Sequence, residues 1–191
     1  MASFGHIAVG LALGRLGGRT ASPRRRGAAM VALAALAMLP DADVVAFKLG
    51  IPYAAEWGHR GASHSLVLAV LVSLVVAVGT RVARGPALEA GLLAFVAVGS
   101  HGLLDAMTTG GLGAAILWPF TTARYFLPLR PIPVAPIGAG MLSARGVYVV
   151  MVELLLFLPF WGYALWPRRR AVSREDGPGG FPEGAQDVRR R

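Results

Sequence analysis

Two of the chain's four histidines lie in the stretch Trp57-Gly58-His59-Arg60-Gly61-Ala62-Ser63-His64-Ser65, a glycine-bracketed segment just before a long apolar run. The other two, His6 and His101, sit at the edge of or inside apolar segments, where packing has no need of an imidazole. Asp41, Asp43 and Asp105, the three aspartates before the C-terminal tail, also fall at segment ends. Imidazole and carboxylate together suit a divalent ion such as zinc, manganese or iron, and with no cysteine in the chain no thiolate competes for that role. An ion held this way at a water-accessible face activates water for hydrolysis. The residues read as a metal site for hydrolytic chemistry: His6, Asp41, Asp43, His64, His101 and Asp105 as ligands, His59 for acid or base work, and Arg60 for an anionic substrate. Seven candidate groups exceed the three or four protein ligands of one catalytic zinc. Either two ions bind per chain, or some of the groups act as a general base or orient the others.

The elements that must position these residues are apolar. Of 191 residues, 55% are hydrophobic and 15% charged, far below the roughly 25% charged of a soluble domain, and the mean hydropathy is +0.58. The composition predicts an all-α integral membrane bundle of about five apolar segments over residues 1–167, followed by a disordered basic tail over 168–191. The segments are Phe4 to Leu16, Gly27 to Leu39, Leu66 to Val82, Ala87 to Met107 and Gly146 to Trp166. The first is short for a span of roughly 17 to 25 residues. The second ends at Pro40-Asp41-Ala42-Asp43, with a short helix expected from Val44 to Phe47. Arg81 and Arg84 with Gly85-Pro86 close the third, and the fifth ends in Trp161, Tyr163 and Trp166 beside Arg168 to Arg170. No basic residue precedes Arg15, so the start lacks the positive region of a signal peptide and is expected to be retained. Glu89 reads as a helix-dipole partner in a first turn, and Glu153 has no evident role.

If all five segments cross, Arg15, Arg19, Arg24 to Arg26, Arg81, Arg84 and the arginines of the tail lie on one side, 14 of the 19 basic residues. The positive-inside rule makes that side cytoplasmic. His6, the Pro40 to Ser65 loop, His101, Asp105 and the proline-rich stretch from Thr108 to Arg145 then meet at the outer face. The net charge of +9 and pI near 11.3 follow from this topology, since the arginines flank apolar runs and do not line one helix face, and no nucleic-acid partner is expected.

His101 and Asp105, at i and i+4, share one helix face and can reach a common ion. Each costs roughly 2.5–3.5 kcal/mol at the centre of a membrane helix and is a functional candidate on that ground. Their bland alternative is a helix-contact pair, and that of Asp41 and Asp43 is capping. Arg124 and Arg130, among interfacial aromatics, are placed to hold an anionic, phosphoester or lipid-like substrate at headgroup level, or else to anchor the interface. Membrane lipid is the partner class. A transporter is the weaker alternative, because the ionisable groups cluster at one end of the spans and not at the midplane. A regulatory or scaffolding protein would use the basic tail and leave the histidines idle.

The same residues carry a family resemblance. His6, Pro40-Asp41-Ala42-Asp43, His59-Arg60-Gly61-Ala62-Ser63-His64-Ser65, and His101-Gly102-Leu103-Leu104-Asp105-Ala106-Met107-Thr108 followed by Leu117-Trp118-Pro119-Phe120 resemble the bacterial inner-membrane metal-dependent hydrolase family. This is the YdjM-like group, also described as LexA-binding, membrane-associated hydrolases. The match runs over roughly residues 4 to 137 in the same order, and Arg124 to Pro128 with Arg130 to Pro133 resembles one branch. It departs at Ser63, where threonine is more usual and the hydroxyl is kept. The resemblance implies an inner-membrane protein with metal-dependent hydrolase activity and names no substrate.

Overall fold

The computed structural model describes residues 3–136 and 138–167; the expected tail from 168 lies outside them. Helix α1 covers Phe4–Gly17 and α2 covers Pro23–Met38, which passes through a 3₁₀ turn, Leu39–Val44, into the one-turn helix α3, Val45–Lys48. A loop with a second 3₁₀ turn, Ala62–His64, leads to α4, Leu66–Val82, and α5 is Ala87–Ala106. After a long irregular stretch and a third 3₁₀ turn come α6, Ala144–Leu156, and α7, Leu158–Leu165. No strand forms among the described residues; two isolated bridges, Thr108 to Ile132 and Ala114 to Tyr125, tie the irregular stretch down.

Local chemistry accounts for the boundaries. Ser22, Ser65 and Ser143 accept hydrogen bonds from the backbone N–H groups of Arg25, Leu68 and Gly146, capping α2, α4 and α6. Pro23 fills the first position of α2, where a missing N–H costs nothing, so that helix begins four residues earlier than its apolar run suggests. The last apolar segment is broken: α6 and α7 meet at a 64° bend. Pro159 supplies the reason, having no N–H to offer Leu155 and a ring that crowds that carbonyl.

The burial pattern is that of a membrane protein. Along α4 the side chains of Leu71, Leu74, Val75, Val78 and Val82 are exposed, whereas His6, Arg60, His64, His101, Asp105 and Glu153 are buried. In water this would be unstable; in hydrocarbon the apolar face needs no cover and the polar groups gather inside. Two helices, Pro23–Lys48 read as one and Ala87–Ala106, have the length and apolarity to cross, and the bent α6–α7 pair is a third candidate; α1 and α4 are shorter. Of the five expected segments, all are helical, and two of them reach spanning length, three if α6 and α7 form one span.

Small residues set the spacing that matters for the site. A Cβ on Gly10 would lie 2.4 Å from Ala34 Cα, and one on Gly14 would lie 2.3 Å from Met30 Cα. This Gly-x-x-x-Gly face lets the backbones of α1 and α2 touch. α1 runs parallel to α6–α7 and is fastened at both ends: Gly5 N donates to Glu153 Oε2 at 3.2 Å and Arg15 Nη1 to Ala164 O at 2.8 Å. Glu153, which has no evident role in the sequence, thus caps the helix that carries His6.

Candidate metal centre

Three of the four histidines and two of the three aspartates meet at one end of the bundle. His6 comes from the first turns of α1, Asp41 from the 3₁₀ turn after α2, His64 from the turn before α4, and His101 and Asp105 from one face of α5. His101 Nε2 lies 3.2 Å from Asp41 Oδ1 and 3.8 Å from Asp105 Oδ2. His64 Nε2 lies 3.3 Å from Asp105 Oδ2 and 3.7 Å from Asp41 Oδ1, and His6 Nε2 lies 3.8 Å from Asp105 Oδ1. Two ligands about 2.0–2.1 Å from one tetrahedral zinc stand about 3.4 Å apart. The spacings therefore match the edges of a coordination polyhedron. Asp41, His64, His101 and Asp105 offer four such atoms mutually within 4.8 Å.

The orientation of the rings is as telling as the distances. His101 Nδ1 is 2.7 Å from Ala37 O, so it carries the proton and turns the Nε2 lone pair toward Asp41. Ala37 sits where α2 gives way to the 3₁₀ turn and Pro40 brings no N–H. His64 Nδ1 faces Asp43 Oδ2 at 3.3 Å and Ser63 Oγ at 2.9 Å. The Nε2 atoms of His6, His64 and His101 are buried and make no hydrogen bond. Three buried imidazole nitrogens without hydrogen bonds call for a physical explanation, and a cation at the point where they meet the carboxylates would supply one. The His6 and His101 rings stack face to face, centroids 3.6 Å apart, so His6 stands against the group of four without belonging to it.

Asp41 and Asp43 part company because a 3₁₀ turn advances about 120° per residue, so side chains two apart diverge. Asp43 belongs to a second grouping, with His59 and His64. Its Oδ1 is 2.7 Å from His59 Nδ1, and its Oδ2 accepts from Arg60 N at 3.1 Å and from the Ser63 hydroxyl. Asp43 thus holds two imidazoles by their Nδ1 sides, the usual work of a carboxylate behind a metal-binding histidine. A neutral imidazole has one lone pair. His64 would therefore serve one ion through Nε2, and the two groupings that share it would compete for that one ring.

Two of the three candidate arginines are engaged within the protein. Arg60, 2% exposed, forks onto Asp105, with Nε 3.0 Å from Oδ2 and Nη2 donating to Oδ1 at 3.3 Å, and its Nη1 donates to Thr108 Oγ1 and Gly110 O. Its backbone sits at φ +63°, a strained conformation held by Asp43 and by Ala115 N donating to Arg60 O. Arg124 donates to the carbonyls of His59, Tyr53 and Ala55 at 2.8–2.9 Å, clamping the loop. Arg130 lies exposed over the Phe126 ring. Thr108, whose hydroxyl also donates to Asp105 O, and Gly102, over which the His64 carbonyl passes, complete the site without having been singled out in the sequence.

The charge balance around His64 favours a cation. Burial alone would lower its pKa, but the carboxylates of Asp105, Asp41 and Asp43 outweigh that and push it up to about 10. Access is through a cleft of about 470 Å³ lined by Asp41, His59, Arg60, Tyr53, Val134 and Met141. Asp41 is 20% exposed where the other ligands are buried, so the cleft reaches the ligand set from its side.

Residues 1–171 match the model of the YdjM inner membrane protein family. The inner membrane protein YbcI of Escherichia coli (strain K12) is 40% identical over 171 residues, covering 86% of this chain and 96% of that protein. No solved structure matches the chain.

Proposed function

The chain belongs to the YdjM inner membrane protein family, and from that premise we propose that it is a metal-dependent hydrolase working at the membrane surface on an anionic, lipid-like ester. The observation that carries the reading is the convergence of three buried Nε2 atoms that make no hydrogen bond onto the carboxylates of Asp41 and Asp105. Asp41, His64, His101 and Asp105 would hold one divalent ion, zinc in first place with manganese or iron as alternatives, and His6 stands as the fifth donor. An ion held there lowers the pKa of bound water toward about 7. The protein's own groups do the rest. Asp43 fixes the ring of His64 and the ring of His59, leaving His59 Nε2 to exchange a proton with whatever enters the cleft it lines. Arg60 neutralises and orients Asp105, a positioning role in place of the substrate contact expected of it, and Arg124 holds the loop that carries His59 and Arg60. Arg130, exposed near the interfacial aromatics, keeps its place as the candidate for substrate charge.

We orient the bundle with its arginine-rich turns in the cytoplasm and the site on the extracytoplasmic side, on the strength of the 14 basic residues flanking one set of ends. Reporter fusions near Tyr53 and after Arg84 should report opposite sides. The activity is tested by incubating reconstituted protein, with and without chelator, with lipid extract and with generic phosphoester and carboxylester substrates, and reading products by mass spectrometry. Metal-dependent turnover that disappears in His101→Ala is expected. Silence on both ester classes, with His101→Ala still complementing a deletion in vivo, would make a scaffold of it.

A further inference from the structure

At the arginine-rich end of the bundle, about 13 Å along α1 from His6, stands a second charged feature unrelated to the metal ligands. Arg15 is 8% exposed. Its Nη1 donates to Ala164 O in the last turn of α7, and its guanidinium carbon lies 5.3 Å over the Tyr163 ring. Its Nε has no hydrogen-bond partner. Among the described residues no carboxylate pairs with it, so a guanidinium is buried with a carbonyl and an aromatic face for company and no counter-charge. Arg15 and Arg19 together line a pocket of about 480 Å³ with Gly162, Tyr163 and Trp166. Tyr163 also lines a groove of about 610 Å³ between α1, α5 and α7 whose other walls, among them Leu13, Leu103, Phe157 and Phe160, are apolar but for Ser100, whose hydroxyl donates to Ala97 O.

We propose that pocket and groove form one binding site for an anionic phospholipid, with the phosphate on Arg15 and Arg19 and an acyl chain in the groove. Charge complementarity selects the headgroup: a buried guanidinium with a donor to spare calls for a phosphate oxygen, and Arg is the side chain whose fork fits one. The groove selects the rest of the molecule, since its lining is almost wholly apolar and the one serine hydroxyl in it is engaged with Ala97 O, which leaves little for a soluble anion to use. Basic pockets between helices at a membrane boundary, flanked by Trp and Tyr, are suited to this class of lipid.

The test is native mass spectrometry of the full chain in mild detergent, incubated with equal amounts of dioleoyl phosphatidylglycerol and dioleoyl phosphatidylcholine. Preferential retention of phosphatidylglycerol is expected, falling about fivefold for Arg19→Gln and further for Arg15→Gln. Excess inorganic phosphate should leave the adduct in place. Equal retention of the two lipids, selectivity surviving both arginine substitutions, or displacement by phosphate alone would each overturn the proposal. Should Arg15→Gln lose its helical circular dichroism, Leu103→Trp takes its place, since it fills the groove from a partly exposed position. Loss of the adduct in that variant supports the site, and unchanged retention sinks it.

Discussion

Gly102→Ala should empty the metal site without altering any ligand. A Cβ at position 102 would stand 2.2 Å from the His64 carbonyl oxygen, whereas carbon and oxygen in contact need about 3.3 Å. The His64 backbone or α5 must therefore yield by about 1 Å, roughly five times the tolerance of about 0.2 Å on a metal–ligand distance. The expected loss of affinity is at the upper end of what removing a ligand's supporting partner costs, about 100-fold or about 2.7 kcal/mol. Gly99→Ala, one turn earlier on the same helix, is the matched control, because its Cβ meets Ala69 and Leu66 at an ordinary 3.6 Å. Both substitutions raise intrinsic helix propensity by about 1 kcal/mol, so a stability change cannot imitate the metal effect. Metal content by mass spectrometry and chelator competition on the purified variants decide the matter. If Gly102→Ala binds within about twofold of Gly99→Ala, the approach of His64 to α5 is not what sets the ligand geometry.

Three further outcomes follow from the same geometry. Asp43→Asn should leave one ion per chain but weaken it about 10- to 100-fold, as chelator titration would show; an unchanged affinity would mean Asp43 does not support His64. Metal affinity should rise about tenfold per pH unit from pH 6 to 9, because the proton that three carboxylates hold on His64, up to about pH 10, must leave as the ion enters; a flat profile would place that proton elsewhere. Arg124→Ala removes three hydrogen bonds to loop carbonyls and should cost about 2 kcal/mol, read as a lower Tm and faster proteolysis between Tyr53 and His59 with the ion retained.

Residue type and helix phase made part of this site legible in advance. His101 and Asp105 had to share a face at i, i+4, and the aspartates at the end of α2 had to surface beside the histidine loop once alternate segments ran antiparallel. Roles were harder. Whether Asp41 or Asp43 faces the ion depends on the turn being 3₁₀, which the chain does not spell out beyond Pro40. Arg60 invited a substrate role because a cation beside two histidines suits an anion, yet its backbone at φ +63° turns the side chain inward to Asp105. Glu153 carries no local pattern at all; its partner, the amide of Gly5, is 148 residues away. The break at Phe157 was foreshadowed by Pro159 inside an otherwise continuous apolar run. Gly102 looked like any small residue in a membrane helix, and only the carbonyl lying over it shows why the position has no room for a side chain.

The chelating side chains are spread from residue 6 to residue 105, and this has a bearing on biogenesis. During synthesis, α1, α2 and the histidine loop enter the membrane in turn carrying an incomplete set of donors. Closure waits for α5, which brings His101 and Asp105, the latter being the carboxylate that Arg60 neutralises. A nascent chain arrested before about residue 100 therefore holds His6, Asp41 and His64 but lacks the two donors that complete the proposed set. Under the proposed function, loading would wait for the second half of insertion, and a bound ion would report that the first four long helices have reached their places.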